Sequence, residues 1–251
     1  MSILFLTAAG AAPEAAAQFG LIPALKEGGP ISIAIFSVMV IMSVFSFYIM
    51  FTKLFEQQKV LNQYKQVRAQ FWRAASLEEG AAKLEKNSAY RQVVDDGIEA
   101  QKQHGLLTDS VEAHDWLHGA MARSEDAINS KLSTGLPFLA TVGATAPFVG
   151  LLGTVIGIYS ALIKIGIAGQ ADIGKIAGPV GEALIMTAIG LFVAVPAVLA
   201  YNWLQARNKT IARSLSDFSN EVIGFMSSGG RLKPVPTAAA AGKPAPAAVK
   251  K

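Results

Sequence analysis

Two threonine hydroxyls and one carboxylate within long, mainly apolar stretches of the sequence are the residues that could handle protons. Thr154 lies in the apolar run 140–166, and Glu182 and Thr187 lie in a second such run further along the chain. An ionisable group inside a membrane-length apolar segment is costly enough to indicate a function by default. Hydroxyl groups supply internal polarity in such segments. We therefore expect a polar pathway that Thr154 and Thr187 line and whose outer mouth Glu182 tunes.

Each of these residues also has a structural alternative. A threonine hydroxyl in a helix often donates back to a carbonyl of its own helix, which satisfies it without any function. Pro179 suits the first position of a helix, and this would place Glu182 in the opening turns, where the helix dipole favours a carboxylate. The residue types alone leave both alternatives open.

Small residues surround both threonines at helical spacing. Residues three and four apart share one face of a helix, and small residues on that face let a second helix approach closely. The first run carries such a seam at Gly143, Ala146, Gly150, Thr154, Gly157 and Ala161, with Gly153 and Gly157 forming a GxxxG pair beside it. The second carries one at Ala183, Thr187, Gly190, Ala194 and Ala197. We expect two facing seams, serving either as plain helix packing or, around a shared axis, as rings of hydroxyls.

The elements that must position these residues are membrane helices. Hydrophobic residues make up 52% of the 251-residue chain and charged residues only 16%. Three apolar stretches reach the roughly 20 residues that a bilayer crossing needs, at 31–52, 132–165 and 177–204. No alternating strand pattern occurs, so the fold class predicted is an all-α membrane protein with three transmembrane helices.

The distribution of basic residues predicts the orientation, because Lys and Arg concentrate on the cytoplasmic side. Lys26 alone precedes the first span, whereas five cations follow it directly: Lys53, Lys59, Lys65, Arg68 and Arg73. The N-terminus is therefore expected outside and the C-terminus inside. This gives an outer segment 1–30, a cytoplasmic helical region 53–131, an outer loop 166–176, a cytoplasmic helix 205–229 and a disordered tail 230–251.

Local signals set the expected helix boundaries. The first and third spans continue as amphipathic helices into a cytoplasmic bundle, the third as far as Gly229 and Gly230. Ser76 with Glu79 forms a capping box, and Gly105 should end the helix that follows Ser88. A long helix should then run from Asp109 into the second span without a breaker before Pro137. Residues 1–12 lack a cationic start, so we expect a surface helix rather than a cleaved signal peptide.

The sequence lacks the residues and motifs that several classes of function require. The chain has no cysteine, and no GxSxG, HExxH or GxxxxGK[ST] pattern occurs, so no enzyme chemistry and no cofactor is predicted. His114 and His118 lie one helical turn apart, but zinc usually needs three or four ligands, so no metal site is predicted. The topology rule accounts for the basic residues near the spans, and no nucleic-acid binding is predicted.

Two longer motifs place the chain beside a known family. The segments APFVGLLGTVIG at 146–157 and EALIMTAIGLFVAVPAVLAY at 182–201 resemble the MotA/TolQ/ExbB proton-channel family, most nearly its ExbB branch. Thr154 matches the threonine of the family's GTV motif, Glu182 the glutamate that opens its EALI motif, and Thr187 the threonine five residues later. The resemblance implies that these are pore-associated polar positions.

The resemblance also implies partners. It implies a multi-pass protein of the bacterial inner membrane, a homopentamer among phospholipids, whose pore holds the helices of an ExbD-like partner with an intramembrane Asp. Such a complex uses proton flow to energise a TonB-like protein for outer-membrane uptake. The residues agree with a need for that partner, because no acid occurs between Glu27 and Glu56 or between Asp126 and Asp172. A TolQ-like subunit and a non-conducting membrane scaffold remain the alternatives.

Overall fold

The computed structural model describes residues 29–106, 112–168 and 173–233, and every regular element in these ranges is helical. The helices are α1 (Gly29–Gln70), α2 (Leu77–Ala82), α3 (Ala89–His104), α4 (Ala113–Ser133), α5 (Leu136–Ala168) and α6 (Ile173–Ser227), with a short 3-10 turn at Phe71–Arg73. The all-helical prediction is confirmed for these ranges. The expectations for residues 1–28, for the loop around 169–172 and for the tail from 234 onward fall outside the described residues.

Three helical stretches are long and apolar enough to cross a membrane. They lie within Gly29–Arg73, Ala113–Ile167 and Ala183–Ser227, and their number agrees with the three spans that the sequence predicts. Large apolar side chains project from their surfaces, including Tyr48, Phe148 and Phe192, which are 65%, 70% and 75% exposed in the single chain. Such a continuous apolar exterior is typical of a protein surrounded by lipid or by further protein chains.

The described residues divide into two compact units, the first formed by 29–53 with 135–168 and 173–205, and the second by 54–106 with 112–134 and 206–233. The first unit brings together α1, α5 and α6 through small apolar clusters. Met186 of α6 packs against Ile35 and Met39 of α1. Leu139 of α5 packs with Leu204 of α6 in another cluster. These contacts fix the faces that α5 and α6 present to each other.

The second unit has a larger core with an aromatic centre. The Phe218 ring lies 5.2 Å from that of Phe71 and 5.4 Å from that of Tyr90, in edge-on arrangements that favour aromatic pairs. Both Phe218 and Tyr90 are fully buried. Burial raises the pKa of the Tyr90 phenol, so this group stays protonated. The core therefore holds its elements together by apolar packing.

The start of α5 differs from the prediction. A helix uninterrupted as far as Pro137 was expected, but α4 ends at Ser133 and α5 begins at Leu136. The cause is Gly135, whose φ of +86° lies in the left-handed region that side-chain-bearing residues rarely adopt. Pro137 instead lies in the first turn of α5, where its missing N–H costs no helical hydrogen bond.

The start of α6 also differs. Pro179 was considered as the first helical residue, but α6 begins at Ile173, so the proline lies inside the helix. Membrane helices tolerate an interior proline because neighbouring groups can satisfy the freed carbonyl. Glu182 is consequently nine residues beyond the helix start, about 13 Å along the axis, and does not lie in the opening turn.

The predicted helix ends elsewhere are confirmed. The Ser76 hydroxyl accepts from the Glu79 N–H at 3.2 Å, and Glu79 Oε2 accepts from the Ala75 N–H at 2.9 Å, one residue before the usual capping-box partner. Helix α3 ends at His104, directly before Gly105. Helix α6 ends at Ser227, and two glycines with positive φ follow it, Gly229 and Gly230.

Candidate functional site

The two seams of small residues face each other within one chain, and their backbones come closest at Gly150 and Gly190. A Cβ built on Gly150 would lie 2.7 Å from the Met186 carbonyl oxygen and 3.1 Å from the Cα of Gly190. A Cβ on Gly190 would lie 2.7 Å from the Ala146 carbonyl oxygen. Backbone atoms cannot move aside as a flexible side chain can, so only glycine fits at these two positions.

The other predicted packing glycines extend this contact. A Cβ on Gly157 would approach the Ala183 Cβ to 2.9 Å, and one on Gly143 would overlap the Val198 side chain. Gly153 lies to the side, where a Cβ would meet Met186 at 3.0 Å and Ile35 of α1 at 3.4 Å. The small residues of the seam therefore let α5 pack closely against α6. Gly153, beside the seam, also faces α1.

Thr154 and Thr187 meet in the middle of this seam. Thr154 is only 6% exposed, and its Oγ1 lies 2.5 Å from Oγ1 of the half-buried Thr187. Thr154 Oγ1 is also within hydrogen-bonding distance of two carbonyl oxygens, at 3.1 Å from Ala183 and 3.2 Å from Gly150. Three polar partners thus converge on one hydroxyl in an apolar environment.

The proton count assigns the donors in this cluster. A hydroxyl carries one proton and accepts through its lone pairs. Both carbonyl oxygens can only accept, so Thr154 is the donor when it binds either of them. In that state Thr187 must donate to Thr154. The Gly150 carbonyl belongs to the same helix as Thr154, and the Ala183 carbonyl belongs to the neighbouring helix. The Thr154 hydroxyl can therefore donate either within its own helix or across to α6.

The structure brings two of the three predicted pathway residues together, and the third is placed by its backbone alone. Glu182 lies in α6 directly before Ala183, whose carbonyl faces Thr154. Its side chain falls outside the described part of the chain. The assignment of Thr154, Thr187 and Glu182 to a pore wall stays a prediction.

Two further hydroxyls in the first unit were not singled out from the sequence. Thr141 and Thr145 lie on the exposed side of α5, where they donate to the carbonyl oxygens of Pro137 and Thr141 at 2.9 and 2.8 Å. Their spacing of four residues was the available signal, since it places both on one helix face. Because each hydroxyl is satisfied within its own helix, this face remains effectively apolar.

A buried polar cluster in the second unit was also missed. Gln57 of α1 is fully buried, and its Nε2 donates to Oδ1 of Asn208 in α6 at 2.6 Å. Asn208 Nδ2 donates in turn to Ser133 Oγ of α4 at 3.4 Å. Hydrogen bonds between buried polar side chains of three helices favour one arrangement of those helices. No sequence signal revealed it, because the three residues lie in different helices.

The histidine pair offers little for metal binding. The rings of His114 and His118 lie 4.4 Å apart, edge to face, at the start of α4. Within the described ranges, no group of three or more His, Asp or Glu side chains is arranged to hold a metal ion. Two ligands are fewer than the three or four that zinc sites in proteins use.

The chain matches the model of the MotA/TolQ/ExbB proton channel family over residues 85–217. It is 38% identical over 205 residues to the biopolymer transport protein ExbB of Xanthomonas campestris pv. campestris, covering 78% of this chain and 81% of the relative. Identity to ExbB of Neisseria meningitidis is 32% over 203 residues, with 78% and 92% covered. The Tol-Pal system protein TolQ of Pseudomonas aeruginosa is 46% identical over 102 residues, covering 41% and 42%. The chain belongs to the MotA/TolQ/ExbB proton channel family.

Proposed function

We propose that this chain is an ExbB-like subunit of a proton-driven motor in the bacterial inner membrane. With an ExbD-like partner, it converts the proton motive force into energy for TonB-dependent transport across the outer membrane. The observation that carries the proposal is the hydrogen-bonded hydroxyl pair of the buried Thr154 and the half-buried Thr187, held between two apolar helices of a proton channel family member. Glu182 tunes the outer mouth of the same pathway.

The proposed arrangement follows from the charge distribution. Cations concentrate after the first and third apolar stretches, which supports an outside N-terminus and an inside C-terminus. Residues 31–52, 132–165 and 177–204 cross the membrane, and the second unit forms a cytoplasmic bundle. Five copies surround a pore whose wall is formed by α5 and α6, with α1 packed outside and phospholipid around it.

A partner is needed because the chain lacks a relay of its own in the two apolar helices that precede α6. Between Glu27 and Glu56, and between Asp126 and Asp172, the sequence has no acidic residue. Hydroxyl groups can pass a proton along but do not store one near neutral pH. An ExbD-like helix with an intramembrane Asp supplies the missing carboxylate. Each proton moved through 100 mV releases about 2.3 kcal/mol, so several protons are needed for demanding mechanical work.

Proton flux in liposomes that contain this chain with its partner tests the proposal. Thr187→Val and Glu182→Gln should each reduce both flux and coupling. Thr141→Val is the matched control, because Thr141 is exposed and bonds only to its own helix, and it should conduct as the wild type does. Unchanged flux in both Thr187→Val and Glu182→Gln would remove these residues from the mechanism.

A TolQ-like role is the second candidate, and the 46% identity to a TolQ protein over 102 residues favours it. Complementation separates the two roles. An ExbB-like chain restores energised outer-membrane uptake in cells that lack their own subunit. A TolQ-like chain restores envelope integrity instead.

A non-conducting scaffold is the third candidate. The direct backbone contact of Gly150 with Gly190 supports it as well as it supports a channel, because such a contact serves packing whether or not protons pass. This role predicts that Thr187→Val affects transport only when it alters assembly. Native mass measurement of the variant complexes beside the flux assay therefore separates a scaffold from a channel.

A further inference from the structure

Met186 of α6 is a buried residue directly beside the hydroxyl pair of Thr154 and Thr187. It precedes Thr187 in the chain and is only 3% exposed. Successive side chains of an α-helix leave the axis about 100° apart, because the helix has 3.6 residues per turn. The direction in which Met186 is held therefore also fixes the direction in which the Thr187 side chain leaves the helix.

Contacts with α5 hold both the backbone and the side chain of Met186. A Cβ built on Gly150 would lie 2.7 Å from the Met186 carbonyl oxygen. A Cβ built on Gly153 would lie 3.0 Å from the Met186 Cβ and 3.3 Å from its Cγ. The α5 backbone thus lies directly against Met186 at both glycines. Thr154 follows Gly153 in the chain, so this contact and the hydroxyl pair lie at the same level of α5.

Helix α1 closes a further side of this contact. Ile35 and Met39 form one apolar cluster with Met186, and Met39 is fully buried in it. Ile35 also reaches the flank of the seam, because its Cγ2 would lie 3.4 Å from a Cβ on Gly153. Protein interiors are close-packed, so a side chain enclosed in this way has little room to shift. Met186 thus connects α1 to the turn of α6 that carries Thr187.

The hydroxyl pair is sensitive to the rotation of α6 about its axis. The Oγ1 atoms of Thr154 and Thr187 are 2.5 Å apart. A rotation of about 15° displaces an atom that lies about 4 Å from the helix axis by about 1 Å. Such a displacement away from Thr154 takes the two oxygens beyond the usual range of an O–H···O hydrogen bond. The pair therefore depends on how firmly α6 is held at this level.

We propose that Met186 is a positioning residue for the hydroxyl pair and that α1 acts on the pair through it. The Met186 side chain fills the space between α1 and α5 and so sets the rotation of α6 at which Thr187 meets Thr154. Helix α1 thereby contributes to the geometry of the proton pathway without lining it. The consequence for proton flux rests on the proposed function, whereas the consequence for the hydroxyl pair does not.

A double-mutant cycle on the hydroxyl pair tests the positioning. The coupling between Thr154→Val and Thr187→Val in unfolding free energy reports the contact of the two hydroxyls. It is measured by reversible unfolding of the full-length chain in detergent micelles, with Met186, Met186→Ala or Met186→Leu as the background. Met186→Ala should abolish the coupling, because it leaves a cavity into which α6 can turn. Met186→Leu should retain it, because the two side chains have similar volumes.

Leu204→Ala is the matched control background. Leu204 is also fully buried in α6, but it belongs to a different apolar cluster, with Leu136 and Leu139. Its truncation should lower the stability of the chain and leave the coupling of the hydroxyls unchanged. In liposomes that contain the partner, proton flux should fall in Met186→Ala to the level of Thr187→Val, and Met186→Leu should conduct as the wild type does.

Three results would overturn the proposal: no coupling in the wild type, coupling that persists in Met186→Ala, and equal loss of coupling in Leu204→Ala. Where Met186→Ala does not fold, Ile35→Ala opens the same contact from α1. Loss of the coupling in that background supports the proposal, and its persistence overturns it. Unchanged flux in Thr187→Val, together with lost coupling in Met186→Ala, would contradict the proposed function and still support the positioning.

Discussion

The hydroxyl oxygens of Thr154 and Thr187 lie 2.5 Å apart across the contact of α5 with α6, although 33 residues separate them in the chain. Because Thr154 also reaches the carbonyl oxygen of Ala183, the two hydroxyls are not equivalent. Thr154 can donate to a carbonyl while it accepts from Thr187. Thr187 of α6 then donates to Thr154 of α5, and Thr154 donates to the Ala183 carbonyl of α6. These two consecutive hydrogen bonds connect the two helices.

This asymmetry predicts unequal effects of removing each hydroxyl. Thr154→Val removes both the bond to Thr187 and the donation to a carbonyl, whereas Thr187→Val removes only the bond between the hydroxyls. We expect losses in unfolding free energy of about 1 and about 0.5 kcal/mol, since hydrogen bonds within membranes average about 0.6 kcal/mol. The double variant should lose less than the sum, because the shared bond is then counted once.

Reversible unfolding in detergent micelles measures these values. Thr145→Val is the matched control, because its hydroxyl bonds only within its own helix on the exposed side of α5. Strict additivity of the two single changes would show that the hydroxyls do not interact.

The contact of Gly150 with Gly190 predicts a sharp sensitivity to a single methyl group. Gly150→Ala or Gly190→Ala places a Cβ 2.7 Å from a carbonyl oxygen, so the helices must separate. Overpacking of this kind costs about 1 to 3 kcal/mol. Thermal unfolding of the purified chain should show the loss as a lower midpoint.

Gly166→Ala is the control for this prediction. Gly166 also lies in α5, but a Cβ there meets nothing within 4 Å. Alanine should therefore raise stability by about 0.5 to 1 kcal/mol through its better helix propensity. A destabilisation equal to that of Gly150→Ala would contradict close approach of the backbones as the cause of the loss at Gly150.

The buried pair of Gln57 and Asn208 predicts a non-additive effect of a different kind. Asn208→Leu deprives Gln57 Nε2 of its acceptor at 2.6 Å, and we expect a loss of about 1 to 3 kcal/mol. Combining it with Gln57→Leu should recover much of that loss, because replacing both partners by apolar groups removes the desolvation penalty. Chemical denaturation of the four variants in a double-mutant cycle measures this coupling.

Ser214→Ala serves as the control, since Ser214 bonds only to the Thr210 carbonyl of its own helix. It should change the unfolding free energy little. A double variant that is as unstable as the sum of the two single changes would contradict the expected recovery.

Glu221 predicts a pH dependence of stability in the second unit. Burial raises the pKa of its carboxyl above the usual 4.5, and the Arg68 guanidinium at 3.9 Å offsets this only in part. The native state therefore holds the proton more tightly than the unfolded state does. The associated stability is present below pH 4.5 and is lost as the pH rises through the raised native pKa. Across that window, the wild type should lose stability relative to Glu221→Gln.

The pKa of Glu79 is shifted in the opposite direction to that of Glu221, so its effect on stability should depend on pH in the opposite way. Hydrogen bonds from the Lys83 ammonium and from the Ala75 N–H lower the pKa of this exposed carboxyl. Its contribution is present above pH 4.5 and is lost as the pH falls through the lowered value. Thermal unfolding of Glu79→Gln and Glu221→Gln between pH 3 and 7 should therefore give opposite slopes relative to the wild type. Equal slopes would contradict the assignment of burial as the cause at Glu221.

The sequence predicts those features of the fold that depend on neighbouring residues. Helical periodicity shows that α1 continues far beyond its apolar part, and the Ser76 cap and the glycines after α6 mark boundaries. The start of α5 was misplaced because a glycine in a helical pattern does not reveal whether its φ is positive. Gly135 adopts that φ in this tertiary setting.

Some features of the candidate site can likewise be predicted from the sequence, and others cannot. Spacing shows that Gly150, Thr154 and Gly157 share a face, because helical geometry fixes that relation. Which carbonyl of α6 lies opposite Thr154 depends on how the two helices are rotated and shifted against each other, and no local pattern encodes this. The pairing of Gln57 with Asn208 spans 151 residues and was invisible for the same reason.

The touching backbones of α5 and α6 also bear on how this gene can vary. Every single-base change of a glycine codon that alters the amino acid introduces at least a methyl group or ends the chain. No amino-acid substitution that a single base change allows at codons 150 and 190 thus preserves the contact, so a change in the spacing of these helices requires compensating substitutions in both α5 and α6.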